Sequence, residues 1–96
     1  MSLDELASKY IRSAEHVFTK MTISKDPLSV NVENVKKVVE CAKDYFDDAK
    51  YYMEKKKFEV SLTSVAYCEG LLDALRMLGA VSFEWPKKPR KKKNAK

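Results

Sequence analysis

The sequence predicts an all-α fold: an up-and-down three-helix bundle with a short extended C-terminal segment and a disordered basic tail. Three observations predict it. Apolar residues recur at three- and four-residue spacing through three separate stretches, the period of a helix with one buried face. Glycine occurs only twice in 96 residues while hydrophobic residues make up 45%, a balance that suits packed helices rather than an unfolded chain. Beyond Trp85 the chain holds seven positive charges and no acid, too charged a segment to pack. The expected division is a helical bundle domain at residues 1–85 and a basic flexible tail at residues 86–96.

The first helix opens on a capping box. Ser2 stands three residues before Glu5, so each side chain can reach the other's free backbone N–H. Leu3, Leu6, Ala7, Tyr10, Ala14, Val17, Phe18 and Met21 then form one apolar stripe. His16, the only histidine, falls off that stripe and reads as a solvated residue. Ile23 to Val30 is a connection, because Pro27 disfavours helical geometry at Asp26. Ser29 or Asn31 can cap the second helix. That helix carries Val35, Val38, Val39, Ala42, Phe46, Ala49 and Met53 on one stripe, flanked by Tyr45 and Tyr52. Lys55, Lys56 and Lys57 sit at its C-terminal end, where cations suit the helix dipole.

The third helix, Phe58 to Gly79, is the most apolar part of the chain, and the rest is organised around it. Phe58, Ser61, Leu62, Val65, Cys68, Leu72 and Leu75 lie on one side. Thr63, Ala66, Gly70 and Ala74, all small, lie nearly opposite, with Tyr67, Leu71 and Leu78 between. A helix apolar over most of its circumference is buried on several sides. Glycine within a helix costs roughly 1 kcal/mol relative to alanine, so Gly70 points to close packing against a neighbour, another helix or a second copy of the chain. Gly79 can take the left-handed conformation that ends a helix.

Ala49, Tyr52, Tyr67, the string Glu69-Gly70-Leu71-Leu72-Asp73-Ala74-Leu75 and Leu78-Gly79 resemble the archaeal family catalogued as domain of unknown function 357. The resemblance covers helices two and three well and the first helix by general pattern. It implies a small up-and-down helical bundle with no assigned activity. Some members of that family are attached to nucleotidyltransferase domains, so the resemblance also implies an alternative role as a detached accessory domain of such an enzyme. The chain departs from the family pattern in the turn between helices two and three, where Lys56-Lys57 stands in place of a Gly-Asp pair.

After Gly79 the period changes. Val81, Phe83 and Trp85 alternate with Ser82 and Glu84, which predicts a short extended segment folding back over the bundle. Pro86 and Pro89 begin the tail. Residues 1–85 hold twelve basic and fourteen acidic side chains, so the overall charge of +5 belongs to the tail. No apolar run approaches the roughly 20 residues of a membrane span, and the N-terminus lacks the apolar core of a secretory signal. The expected location is the cytoplasm. Cys41 and Cys68 lack a CxxC spacing and read as small apolar residues, buried or half-buried and unbridged.

Four groups of residues could carry function. Glu40, Asp44, Asp47 and Asp48 share one face of helix two, and their carboxylates suit calcium or magnesium, a weak divalent-cation site being the alternative to a solvated face. Glu69, Asp73 and Arg76 form a stripe on helix three in which Arg76 can pair with one or both acids and fix helix register. With Ala66, Gly70 and Ala74 they make the expected interaction surface. Lys87, Lys88, Arg90, Lys91, Lys92 and Lys93 are drawn to phosphates whatever the base sequence. A zinc site needs about four N or S ligands, there is no glycine-rich phosphate loop, and His16 would have to reach Cys41, Cys68 or a serine across the bundle to act as a base. The expectation is therefore a non-enzymatic helical interaction module without a cofactor. Its expected partner is a protein or a second copy, with non-specific attraction to nucleic acid through the tail.

Overall fold

The structure, a computed structural model, describes residues 2–86. It holds three helices: α1 (Leu3–Lys20), α2 (Val32–Glu54) and α3 (Phe58–Met77). Among the described residues there is no strand, so the all-α three-helix fold is present as expected. No helix among them is long and apolar enough to cross a membrane. The expected tail residues Lys87 to Lys96 lie outside the described range.

Each helix end has a local cause. Ser2 Oγ accepts from the Glu5 N–H at 3.3 Å, and the Ser2 N–H donates to Glu5 Oε1 at 2.9 Å, which completes the capping box. Of the two candidates for the second cap, Asn31 is the one used: its Oδ1 accepts from the Asn34 N–H at 2.8 Å. Helices α2 and α3 end in the same way. The Lys57 N–H donates to the Tyr52 carbonyl at 2.9 Å, and the Lys56 N–H to the Met53 carbonyl at 3.0 Å. In α3 the Ala80 N–H donates to Leu75 at 2.9 Å and the Gly79 N–H to Arg76 at 3.0 Å. Both are Schellman motifs, which require a left-handed residue just past the helix. Gly79 fills that place at φ 78°, as its position in sequence indicates. Lys56 fills it in the α2–α3 turn at φ 61°, with the steric cost that a Cβ brings there.

α2 and α3 pack as an antiparallel hairpin through small residues. Ala42, Ala49, Ser64, Cys68 and Leu75 are the buried set, and no large side chain is fully buried. Side chains this short let two helices approach closely. The Ser61 hydroxyl uses that approach, donating across the interface to the Ala49 carbonyl at 2.7 Å. On one side of the seam the Tyr45 and Tyr67 rings stack at 4.3 Å between centroids.

The structure differs from the expected bundle in one respect. Among the described residues, all helix-to-helix contacts are between α2 and α3, and α1 has none with either. No residue of α1 is buried. The cause lies in the connection 21–31. Met21 and Asn31 are both extended, with ψ 139° and 154°, and no backbone hydrogen bond closes a turn between them. The chain bends at Asp26, but no backbone hydrogen bond closes that bend into a turn toward the hairpin. The Cα radius of gyration is accordingly 16.9 Å, where a compact chain of this length has about 12.5 Å.

Candidate functional site

The open side of the hairpin is a cleft between α2 and α3. Val39, Ala42, Lys43 and Phe46 line it from α2, and Cys68 and Leu72 from α3. Its volume is about 250 Å³ and its floor is apolar. The spacing explains the composition: Val39, Ala42 and Phe46 recur at three and four residues, as do Cys68 and Leu72, so each helix offers one face to the same space. Phe46 is 46% exposed, and Phe58 and Leu62 further along α3 are 57% and 69% exposed, so this face has no cover. Lys50 lies at the α2 edge, with its Nζ 4.9 Å over the Phe46 ring.

Opposite in character is the polar cluster at the C-terminal end of α3. Arg76 donates from Nε and Nη2 to Asp73 Oδ1 at 3.1 and 2.7 Å, and the Trp85 indole N–H donates to the same oxygen at 3.1 Å. The Arg76 guanidinium also lies 5.8 Å over the Phe83 ring, which meets Trp85 edge-on at 4.8 Å. The segment after Gly79 thus folds back onto α3, as its alternation indicates. The hydrogen bonds from Arg76, then that from Trp85, hold the Asp73 carboxyl below its ordinary value. Asp73 alone takes the salt bridge with Arg76, and Glu69 is left exposed to solvent. Trp85 is the member of this cluster that the spacing of α3 does not indicate. Its indole N–H, the only such donor in the chain, is the signal that could have found it.

The remaining candidates are dispersed. Glu40, Asp44, Asp47 and Asp48 are all exposed along α2. Among the described residues no group of three or more His, Cys, Asp or Glu side chains is arranged to hold a metal ion. Ala66, Gly70 and Ala74 face outward on α3, and a Cβ at Gly70 would meet no atom within 4 Å. The close approach that would explain this glycine is therefore not made among the described residues. Cys68 is buried, and burial pushes its thiol up. Cys41 is exposed, a correction to the expectation that both would be covered: it stands about 100° round α2 from the buried Ala42, at the rim of the seam rather than in it. The polyanion candidates Lys87, Lys88, Arg90, Lys91, Lys92 and Lys93 lie outside the described residues.

Comparison with curated proteins and with solved structures returns no match. Residues 9–81 match the family described as Protein of unknown function (DUF357), and a match over that much of the chain makes this protein a member of that family.

Proposed function

We propose that the chain is a non-enzymatic helical interaction module that works through the apolar faces of α1 and of the α2–α3 cleft. One observation carries this reading: α1 is amphipathic, and its entire apolar stripe is uncovered, from 37% exposed at Leu6 to 73% at Phe18. Scattered apolar residues on a surface need no explanation, but a contiguous apolar stripe of this extent marks an interaction site. The basic C-terminus adds a second element, supported by its sequence. Seven charges meeting duplex phosphates correspond to a salt slope of about −6.

The test is photo-crosslinking in producing cells, with a benzophenone-bearing phenylalanine analogue at position 18. The expected result is a covalent adduct to a second polypeptide chain, whether another copy or a different protein. Adducts confined to the chain's own hairpin, or none at all, would overturn the reading.

A further inference from the structure

The most informative feature of the molecule is that it contains both halves of an unmade contact. α1 carries an apolar stripe with nothing on it. The hairpin carries an apolar cleft with nothing in it. We propose that two copies of the chain exchange α1, each helix lying in the α2–α3 cleft of the other copy. This rests on the reading of the chain as an interaction module and names its partner.

Length and area fit. α1 has 18 residues and α3 has 20, so at about 1.5 Å per residue the two helices run side by side for nearly their whole length. Tyr10 and Phe18 are 63% and 73% exposed. Two copies bring four such rings, which at 150–250 Å² per aromatic and about two-thirds still exposed supply roughly 400–700 Å². Leu3, Leu6 and Val17 and the cleft walls add to this on both sides. Stable interfaces bury around 1,600 Å², so the rings supply about a quarter to under a half of that area and the aliphatic side chains and cleft walls the rest.

Charge fixes the direction. On the helical wheel of α1, Asp4 and Glu15 flank the apolar stripe on one side, and Lys9 and Lys20 flank it on the other. The cleft is also two-sided. Its α2 edge carries Lys36, Lys43 and Lys50 at seven-residue intervals; Lys43 lines the cleft and Lys50 stands over Phe46. Its α3 edge carries Glu69 beside Cys68 and, two turns on, Arg76, whose charge is paired with Asp73. Only one orientation sets the acids of α1 against the lysines of α2, and Lys9 and Lys20 against the α3 edge. It is α1 antiparallel to α2 and parallel to α3. Reversing the helix sets Lys9 and Lys20 against the lysines of α2. In the favoured orientation Phe18 falls near Val39 and Leu72, and Leu3 near Phe58.

The connection permits this contact with a second copy. Residues 21–31 are extended at both ends and contain no hydrogen-bonded turn. Eleven residues, drawn out fully, span up to about 36–40 Å, enough to carry α1 across to a neighbouring hairpin. Exchange of an identical element through an open connection is a low-cost route to a closed dimer.

The test uses the full chain. Sedimentation across the micromolar range is expected to give a species of twice the 11.1 kDa chain mass. A sample mixing isotope-labelled and unlabelled chains is expected to show NOEs from the Phe18 ring of one chain to the Leu72 methyls of another. Phe18→Asp should weaken the dimer ~30-fold or more, the effect of losing a central aromatic anchor. The hairpin does not depend on Phe18, so that variant keeps the amide spectrum of α2 and α3. A monomer throughout the range, with Phe18–Leu72 NOEs only within one chain, would overturn the exchange. So would a dimer that survives Phe18→Asp and is broken by Gly70→Leu on the opposite face. Either result leaves the interaction reading to the crosslinking experiment, which fails separately.

Discussion

The indole N–H of Trp85 donates to Asp73 Oδ1 at 3.1 Å, twelve residues back along the chain. This bond ties the segment after Gly79 to α3, and it depends on the charge of Asp73. The carboxyl is held below its ordinary value of 3.8 by the hydrogen bonds from Arg76 and then from Trp85. A depressed carboxylate contributes stability that is fully present above the unfolded value and is lost as pH falls through the folded one. Trp85 is the only tryptophan, so its fluorescence reports the event directly. The expected acid transition of that signal has a midpoint below 3.8. Arg76→Gln should move the midpoint up, and Asp73→Asn should remove it. A midpoint unchanged in Arg76→Gln would mean that the guanidinium does not set the charge.

Lys56 holds the left-handed position of the α2–α3 turn at φ 61°. A side chain there costs roughly 1–2 kcal/mol relative to its ordinary conformations, and glycine escapes most of this. Lys56→Gly is therefore expected to stabilise the hairpin by about 1 kcal/mol. Urea denaturation measures it as a higher midpoint at unchanged slope. The same substitution at Lys57, whose φ of −97° is ordinary, should not stabilise. Equal effects at the two positions would rule out backbone strain as the cause.

These residues also show what the sequence carries. Ser2, Asn31 and Gly79 were legible because each acts within its own turn, through a side chain or backbone suited to that place. Lys56 was not, since nothing in a lysine signals a left-handed conformation; only the Gly-Asp pair usual in the family hinted at it. The Glu69, Asp73 and Arg76 stripe could be seen from helical spacing, but the choice of Asp73 as partner is made together with Trp85, which spacing within α3 cannot reach. The stripe on α1 was equally plain. Its docking was not, because an amphipathic helix encodes the need for a partner surface and not which copy of the chain supplies it.

The hairpin seam sets its own limits on substitution. Ala42 is 1% exposed between α2 and α3. Ala42→Leu forces the helices apart and is expected to cost about 1–3 kcal/mol. Ser61→Ala removes the hydroxyl that reaches the Ala49 carbonyl at 2.7 Å, and should cost about 0.5–1.5 kcal/mol, the usual net value of such a bond. Calorimetric or urea unfolding measures both. If Ser61→Ala were neutral, the bond would be exchanging evenly with water.

Gly70 separates two uses of α3. Among the described residues, no atom beyond its own turn of the helix lies within 4 Å of where its Cβ would stand, so the described fold has no steric need for glycine there. Glycine in a helix interior costs about 1 kcal/mol relative to alanine. Gly70→Ala is thus expected to raise stability by about that amount, read from the urea midpoint. Exchange of α1 uses the Phe58 and Leu72 side of the helix, and so predicts that self-association is unaltered by this change. Were stability to rise while association fell, the Ala66, Gly70 and Ala74 face would be the contact between copies. The glycine would then be retained for that approach, at a cost to the isolated chain.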